Sequence, residues 1–396
     1  MAMELRELAE RAKSPASFEE EEVRQSIEQF NQEDLDAFIK NHPGAVKTLV
    51  DDLHHLQTDM QEEFVDRNEA IEMALTCFLA HVNMVFLGEP GTAKSLVVRR
   101  LSYGLGLQGT PITIDELNKE AQQWLKEVKE DQAELLESGD SNGHVRSRGY
   151  FEVLLTRYST SDEILGPANL KLMLSRAIFL RQTIGLLPEA QVAFLDEIWR
   201  ANAAILNAML SISNERLFYN AGRPVRVPLC MIYGASNEIP REEELGAMYD
   251  RFPIRVICLR VDDSRSLLKK AGKEGFRNVF GGTDSIPRRA TTNHFRLLFR
   301  AIHAWFGKES RADGEGPFPR AFCETFDALK REFRISDRSL HSLYRAACAL
   351  ALLRDRKAPE ATELDVFKYC FHEPETAAAL RDAVDQRIQR YGKLHR

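Results

Sequence analysis

Short apolar runs alternate with helical patterning over residues 61–260. The runs are Met84–Leu87, Phe151–Leu155, Val192–Leu195, Leu229–Ala235 and Ile254–Leu259. Strands that alternate with helices predict an α/β domain built on a mostly parallel sheet. Residues 1–60 are polar and helix-prone, with an acidic run at Glu19–Glu22, and read as a helical N-terminal extension. Residues 263–293 carry glycines, basic residues and Pro287 and read as a linker; 294–396 is helical, a smaller all-α domain with a basic tail over Arg381–Arg396. Its run Ala346–Leu353 is the longest apolar stretch and reads as a buried helix segment, well short of the roughly 18 residues of a membrane span. One stretch inside the α/β part, 109–148, lacks any strand-like run. Thr113 and Glu116 form a capping box that opens a charged helix through about Leu136, and a turn follows at 139–144. This reads as a helical insertion that leaves the sheet and returns to it at Phe151.

Composition narrows the function classes. Hydrophobic residues are 44% and charged residues 29%, ordinary for a folded chain with a real core. Lys and Arg total 53 against 60 Asp and Glu, a net charge of −7 that argues against sequence-independent nucleic-acid binding by the whole surface. The start of the chain has no apolar h-region, and the six cysteines include no C-x-x-C pair. A reducing, cytoplasmic setting is expected, without a disulfide scaffold or cysteine zinc module. Cys370-Phe371-His372-Glu373 has metal-ligand residue types but no matching second pair, and His54-His55 has no partner at metal spacing.

The chemistry concentrates in two segments. Gly88-Glu89-Pro90-Gly91-Thr92-Ala93-Lys94-Ser95 follows the apolar run Asn83–Leu87 and precedes the helical run that starts at Leu96. Strand, glycine loop and helix are the context of a P-loop, in which residues without bulk let polyphosphate approach backbone N–H groups at a helix N-terminus. Lys94 is expected to reach the β- and γ-phosphates and Ser95 to ligate Mg²⁺; Ala93 stands where a second glycine is usual. Downstream, Val192-Ala193-Phe194-Leu195-Asp196-Glu197 is an apolar strand ending in two carboxylates. The first is expected to hold Mg²⁺ and the second to polarise an attacking water.

With GASNEIP at 234–240 and LGAMYDRFPIRV at 245–256, these segments resemble the AAA+ ATPases of the MoxR branch, most closely the RavA-like group. The resemblance is strong over 61–262 and weaker over 294–375. It implies ATP and Mg²⁺ as cofactors, with Gly88, Glu89, Pro90, Gly91, Thr92, Ala93, Lys94, Ser95, Leu96 and Asp196 holding the nucleotide, and Ser95 and Asp196 the metal. Val65, with Ile71, matches the position that packs the base. Glu197 activates water, Asn237 corresponds to sensor 1, Arg251 to the arginine finger, with Arg255 as its alternative, and Arg338 to the sensor-2 arginine of the lid. Ala177–Glu189 resembles the hairpin inserted in the second helix, and Arg216–Val227 the hairpin before sensor 1. The resemblance further implies a homo-oligomeric ring, a hexamer, and chaperone-like remodelling of a protein client, with a von Willebrand factor A domain partner. Two other readings stay open: a nucleotide-dependent scaffold with little turnover, and a nucleic-acid-acting motor. The insertion at 109–148 departs from the family pattern.

Overall fold

The computed structural model describes residues 43–107, 149–240, 243–263, 265, 316–356 and 358–394. The N-terminal acidic run, the whole 109–148 insertion and most of the 263–293 linker lie outside them. Five parallel strands form the central sheet, ordered β2-β3-β6-β1-β7: β1 (Met84–Leu87), β2 (Tyr150–Leu154), β3 (Val192–Asp196), β6 (Met231–Ser236) and β7 (Ile254–Ile257). Every residue of β1 and β6 is buried, as a strand covered on both faces requires. An antiparallel hairpin, β4 (Leu217–Asn220) and β5 (Arg223–Arg226), stands apart from the sheet. Its two-residue loop, Ala221-Gly222, has positive φ at both positions, the primed turn that matches strand twist.

Helix α1 (Pro43–Glu63) seats Val50, Leu53, Leu56 and Met60 in the core. It lies against α3 (Lys94–Gly104) so closely that a Cβ on Gly104 would stand 2.3 Å from a Leu56 methyl. The pair is also joined by a buried ion pair, Arg100 Nε to Glu63 Oε1 at 2.8 Å. Helix α2 (Asn68–Ala80) is buried continuously from Met73 to Ala80. Between β2 and β7 the chain also forms α4 (Ser161–Leu165), α5 (Leu170–Arg176), α6 (Ala203–Glu215) and α7 (Glu243–Tyr249).

The C-terminal helical part consists of α8 (Pro317–Phe333), α9 (Ser339–Leu353), a 3₁₀ segment Ala361–Tyr369 and α10 (Ala377–Leu394). Residues Ala346–Leu353, the longest apolar run, are buried all round because α9 lies between α2 and the rest of the lid. Charged pairs rim that contact: Arg354 to Glu72 at 3.1 Å and Arg381 to Glu69 at 2.8 Å. His54 also takes part, with Nε2 2.6 Å from the Leu353 carbonyl and Nδ1 3.6 Å from Asp355. This corrects the sequence reading, because Asp51 and Asp355 do bring ligand-type atoms to His54. Asp355 is too remote in sequence for spacing to reveal it. Among the described residues no helix is long and apolar enough to cross a membrane.

The corner between α7 and β7 is stapled to the lid. Arg255 is 5% exposed, and its guanidinium donates to the carbonyls of Phe371 at 2.7 Å and Tyr249 at 3.2 Å while lying 4.0 Å over the Tyr249 ring. Tyr249 in turn donates to the His372 carbonyl at 2.6 Å. Burial pushes the Arg255 guanidinium below its ordinary pKa. The Cys370–Glu373 segment is therefore a backbone acceptor for a buried cation, and Cys370, pushed up to about 12 by burial, stays a neutral thiol. Arg255→Ala would leave buried carbonyls without donors. It is expected to cost about 2–4 kcal/mol, read as a lower urea midpoint at unchanged slope. A loss below about 0.5 kcal/mol, within the range of ordinary surface substitutions, would show that the lid is held by its apolar contacts alone.

Candidate functional site

Parallel register brings three strand ends to one edge of the sheet. Leu87 of β1 pairs with Ser236 of β6, and Leu195 of β3 pairs with Gly234, so Gly88, Asp196 and Asn237 emerge side by side. The crevice outside the carboxyl ends of such strands is where an open α/β sheet binds ligands.

The loop from Gly88 to Ala93 is shaped by contacts that admit few other residues. A Cβ on Gly88, whose φ is +150°, would meet the Cys258 carbonyl oxygen at 2.2 Å. Gly91 has φ +81° with open space around it, so it is needed for backbone conformation rather than for room. Ala93 also adopts the left-handed region, φ 64°, immediately before α3. A side chain there costs roughly 1–2 kcal/mol relative to glycine, a strain that the loop sustains at its phosphate-facing turn. Thr92 closes the loop by donating to the Glu89 carbonyl at 2.9 Å. Arg67, a residue that sequence reasoning passed over as part of the base-packing segment, straps it from outside. The buried guanidinium donates to the Thr92 carbonyl at 2.9 Å and to the Leu259 carbonyl at 2.6 Å. Only its charge hinted at this role.

Lys94 is buried at the start of α3, and its ammonium donates to Gly88 O at 2.6 Å, Glu89 O at 2.9 Å and Asn237 Oδ1 at 3.3 Å. All three N–H bonds thus face acceptors around the loop in which a phosphate would sit. Beside it Ser95 Oγ donates to Asp196 Oδ2 at 3.1 Å, an oxygen pair of the kind that holds a hard divalent cation. Asn237 joins the two halves of the site, since its Nδ2 donates to Glu197 Oε1 at 2.6 Å. Glu197 sits in the left-handed region, φ 52°, at the turn after β3, with its amide bonded to Asp196 Oδ1 at 3.0 Å. The strained turn separates two adjacent carboxylates, one facing Ser95 and the other facing Asn237. Arg200, not singled out in the sequence, lies 3.3 Å from Glu197 Oε2.

Other expected residues lie elsewhere. A cavity of about 290 Å³ beside the loop is lined by Asp66–Ala70 and the end of β7; Ala70, Val256 and Ile257 supply its aliphatic wall, while Val65 is not among its lining residues and Ile71 is core. Arg251 and Arg338 come together, but at the opposite edge of the sheet, beside Asn83 at the start of β1. Arg251 donates to the Ala247 carbonyl, and burial together with Arg338 lowers its pKa. Arg255, the alternative for the finger, is spent on the lid. The segment Ala177–Glu189 is only partly a hairpin. A bridge pairs Ala168 with Arg181, α5 fills the space between them, and Leu187–Glu189 is a 3₁₀ turn. Asn220 of β4 ties this insert to the second hairpin by exchanging hydrogen bonds with the Arg181 backbone, at 2.8 and 3.0 Å.

The burial of Lys94 predicts a pH dependence. Desolvation holds the Lys94 ammonium below its ordinary 10.5, opposed by Cys258, Asp196 and Glu197. A bound phosphate favours the charged form. Nucleoside triphosphate affinity should therefore be level near neutrality and fall about tenfold per pH unit once pH exceeds the depressed lysine pKa. Fluorescent-nucleotide titrations across alkaline pH check this, with Lys94→Met binding weakly and without that slope.

A family described as "MoxR domain in the MoxR-vWA-beta-propeller ternary systems" matches residues 51–111 and 142–279, half of the chain. An uncharacterized protein of Methanocaldococcus jannaschii, MJ0079, is 31% identical over 272 residues, covering 63% of this chain and 61% of its own length. A second from the same organism, MJ0812, is 36% identical over 217 residues, 55% of this chain and 47% of its own length. The chain thus aligns with about half to three-fifths of these relatives. A crystal structure from Cytophaga hutchinsonii, described as a "putative ATPase", superposes with a TM-score of 0.60 over 89% of this chain and 98% of that one, at 14% identity, a likeness of fold. By its sequence match, the chain belongs to the family of MoxR domains of the MoxR-vWA-beta-propeller systems.

Proposed function

We infer that this chain is an ATP-hydrolysing AAA+ subunit that works in a ring, with each nucleotide at a boundary between subunits. The observation that carries the reading is the continuous chain of contacts Lys94–Asn237–Glu197 beside the Ser95–Asp196 pair, all at one strand edge. Binding and water-activating groups are thereby fixed to one another before any ligand arrives, the preorganisation that hydrolysis needs. Lys94 and the loop amides bind the phosphates. Ser95 and Asp196 would hold Mg²⁺, which supplies charge neutralisation on the phosphate oxygens. Glu197 takes the proton of the attacking water, and Asn237 orients both. Arg251 lies too far along β1 to serve its own loop and acts on a neighbour's.

The family description supports a von Willebrand factor A domain protein as partner, and we assign the chain a chaperone-like remodelling role. Leu174 (83% exposed) and Phe179 on the insert and Tyr219 on the hairpin are exposed apolar side chains on two elements locked together by Asn220, a surface suited to gripping a protein.

Activity per subunit should rise with protein concentration and then saturate. Glu197→Gln should lower turnover by about 10²–10⁴-fold with nucleotide still bound. Arg251→Ala should lower it by about 10³-fold or more and leave monomer binding intact. Turnover that is independent of concentration and of Arg251 would sink the ring reading. A Glu197→Gln trap that retains no von Willebrand factor A domain protein from lysate would sink the partner assignment.

A further inference from the structure

The cavity that holds Arg251 and Arg338 contains more positive charge than those two residues. It encloses about 440 Å³ between α6, the α7–β7 corner and the first turns of α9, and four of its lining residues are arginines: Arg216, Arg251, Arg338 and Arg345. Asp250 is the one carboxylate among the lining residues. Arg216 is fixed at the base of the β4–β5 hairpin. Its Nη2 donates to the Cys230 carbonyl at 2.8 Å, and its own carbonyl accepts from Val227 N at 2.9 Å. Its Nη1 is buried without a hydrogen-bond partner among the described residues. A buried guanidinium nitrogen left unpaired is costly unless an anion completes it. Desolvation depresses the pKa of both Arg216 and Arg345, and Arg345 adds repulsion at Arg216. Arg345 follows Arg338 by seven residues, two turns along the same face of α9, and Ser342 lies between them at the cavity wall.

This concentration of guanidinium groups is far from the chain's own phosphate loop. Asn83 borders the cavity and Gly88 opens the loop, at opposite ends of β1, about 16 Å apart at 3.3 Å per residue. A phosphate held on the same subunit's loop is therefore out of its reach. We propose that Arg216 and Arg345 complete, with Arg251 and Arg338, a four-arginine receptor for the terminal phosphates of a nucleotide carried on the loop of a second copy of this chain. The proposal rests on the ring reading above and adds Arg216, Arg338 and Arg345 to it as phosphate-binding residues. Several guanidinium groups suit a triphosphate because its charge is spread over many oxygens, each able to accept a charge-assisted hydrogen bond.

The test separates assembly from turnover. In a Glu197→Gln background, sedimentation of the full chain with ATP and Mg²⁺ reads nucleotide-dependent self-association without needing hydrolysis. Arg216→Gln and Arg345→Gln should each weaken that association about tenfold or more, while nucleotide binding at low protein concentration is unchanged. In the hydrolysing protein, either variant mixed in equal amounts with Lys94→Ala subunits should regain about a quarter of wild-type turnover, since a random ring pairs an intact loop with an intact arginine cavity at one boundary in four. Unchanged association in both variants would overturn the proposal. So would loss of turnover without recovery on mixing, which marks a structural role within the subunit. Binding of inorganic tripolyphosphate to Lys94→Ala monomers that is lost on adding Arg216→Gln or Arg345→Gln would replace the second copy with a free anion. A wild-type protein that associates with ATP but never turns over would defeat the hydrolysis reading and leave this one standing.

Discussion

The hydrogen-bond register among β1, β3 and β6 is the constraint on which the site depends. It sets Leu87 against Ser236 and Leu195 against Gly234, and so delivers the loop, the carboxylate pair and Asn237 to one edge. A slip of one residue in any of these strands would turn its alternate side chains to the other face, and the whole constellation would be lost with it. The residues that pin the register are apolar and fully enclosed: Val85 and Phe86 in β1, Phe194 and Leu195 in β3, Ile232 and Tyr233 in β6. Tyr233 adds a directional bond, from its hydroxyl to the Ala74 carbonyl at 2.8 Å, which fixes the sheet against α2. The geometry of the candidate site is therefore inherited from core packing, and the polar groups adjust it only locally.

Those local adjustments are made where the backbone is strained. Ala93 and Glu197 both occupy the left-handed region at the two turns that meet the phosphate space. Each costs on the order of 1–2 kcal/mol, tolerable because the strands that feed the turns are held by the core. The strain at Glu197 has a chemical purpose. Two consecutive carboxylates on an extended strand would point to opposite faces, one of them into the apolar core. The left-handed turn after Asp196 instead keeps both in the crevice and gives them different partners, Ser95 and Asn237.

Much of this was legible in the sequence. Each of the five expected apolar runs overlaps a sheet strand, and β1 coincides residue for residue with Met84–Leu87. The loop was legible because phosphate contact imposes a local pattern of glycine, lysine and serine within eight residues. What could not be read depends on pairs distant in sequence. Arg67 meets Thr92 and Leu259, and Arg255 meets Phe371, through carbonyl groups that carry no residue signature at all. Arg255 and Arg251 look equivalent in the chain, four residues apart beside the same aromatic pair. Only the sheet separates them: Arg255 lies within β7 and is driven into the lid contact, while Arg251 precedes the strand and reaches the cavity.

The distribution of cations across the sheet then has a physical consequence. At the carboxyl edge Lys94 and the helix amides stand beside two carboxylates, with the Arg67 guanidinium turned onto the loop carbonyls and Arg200 onto Glu197. The opposite edge offers guanidinium groups with little compensating charge. The candidate site is thus of mixed charge and the cavity predominantly positive, and the length of β1 separates them. In the proposed ring, the carboxyl edge of one copy would face the arginine edge of the next at every boundary. Such a contact is heterologous, and it closes into a ring wherever the rotation between copies permits.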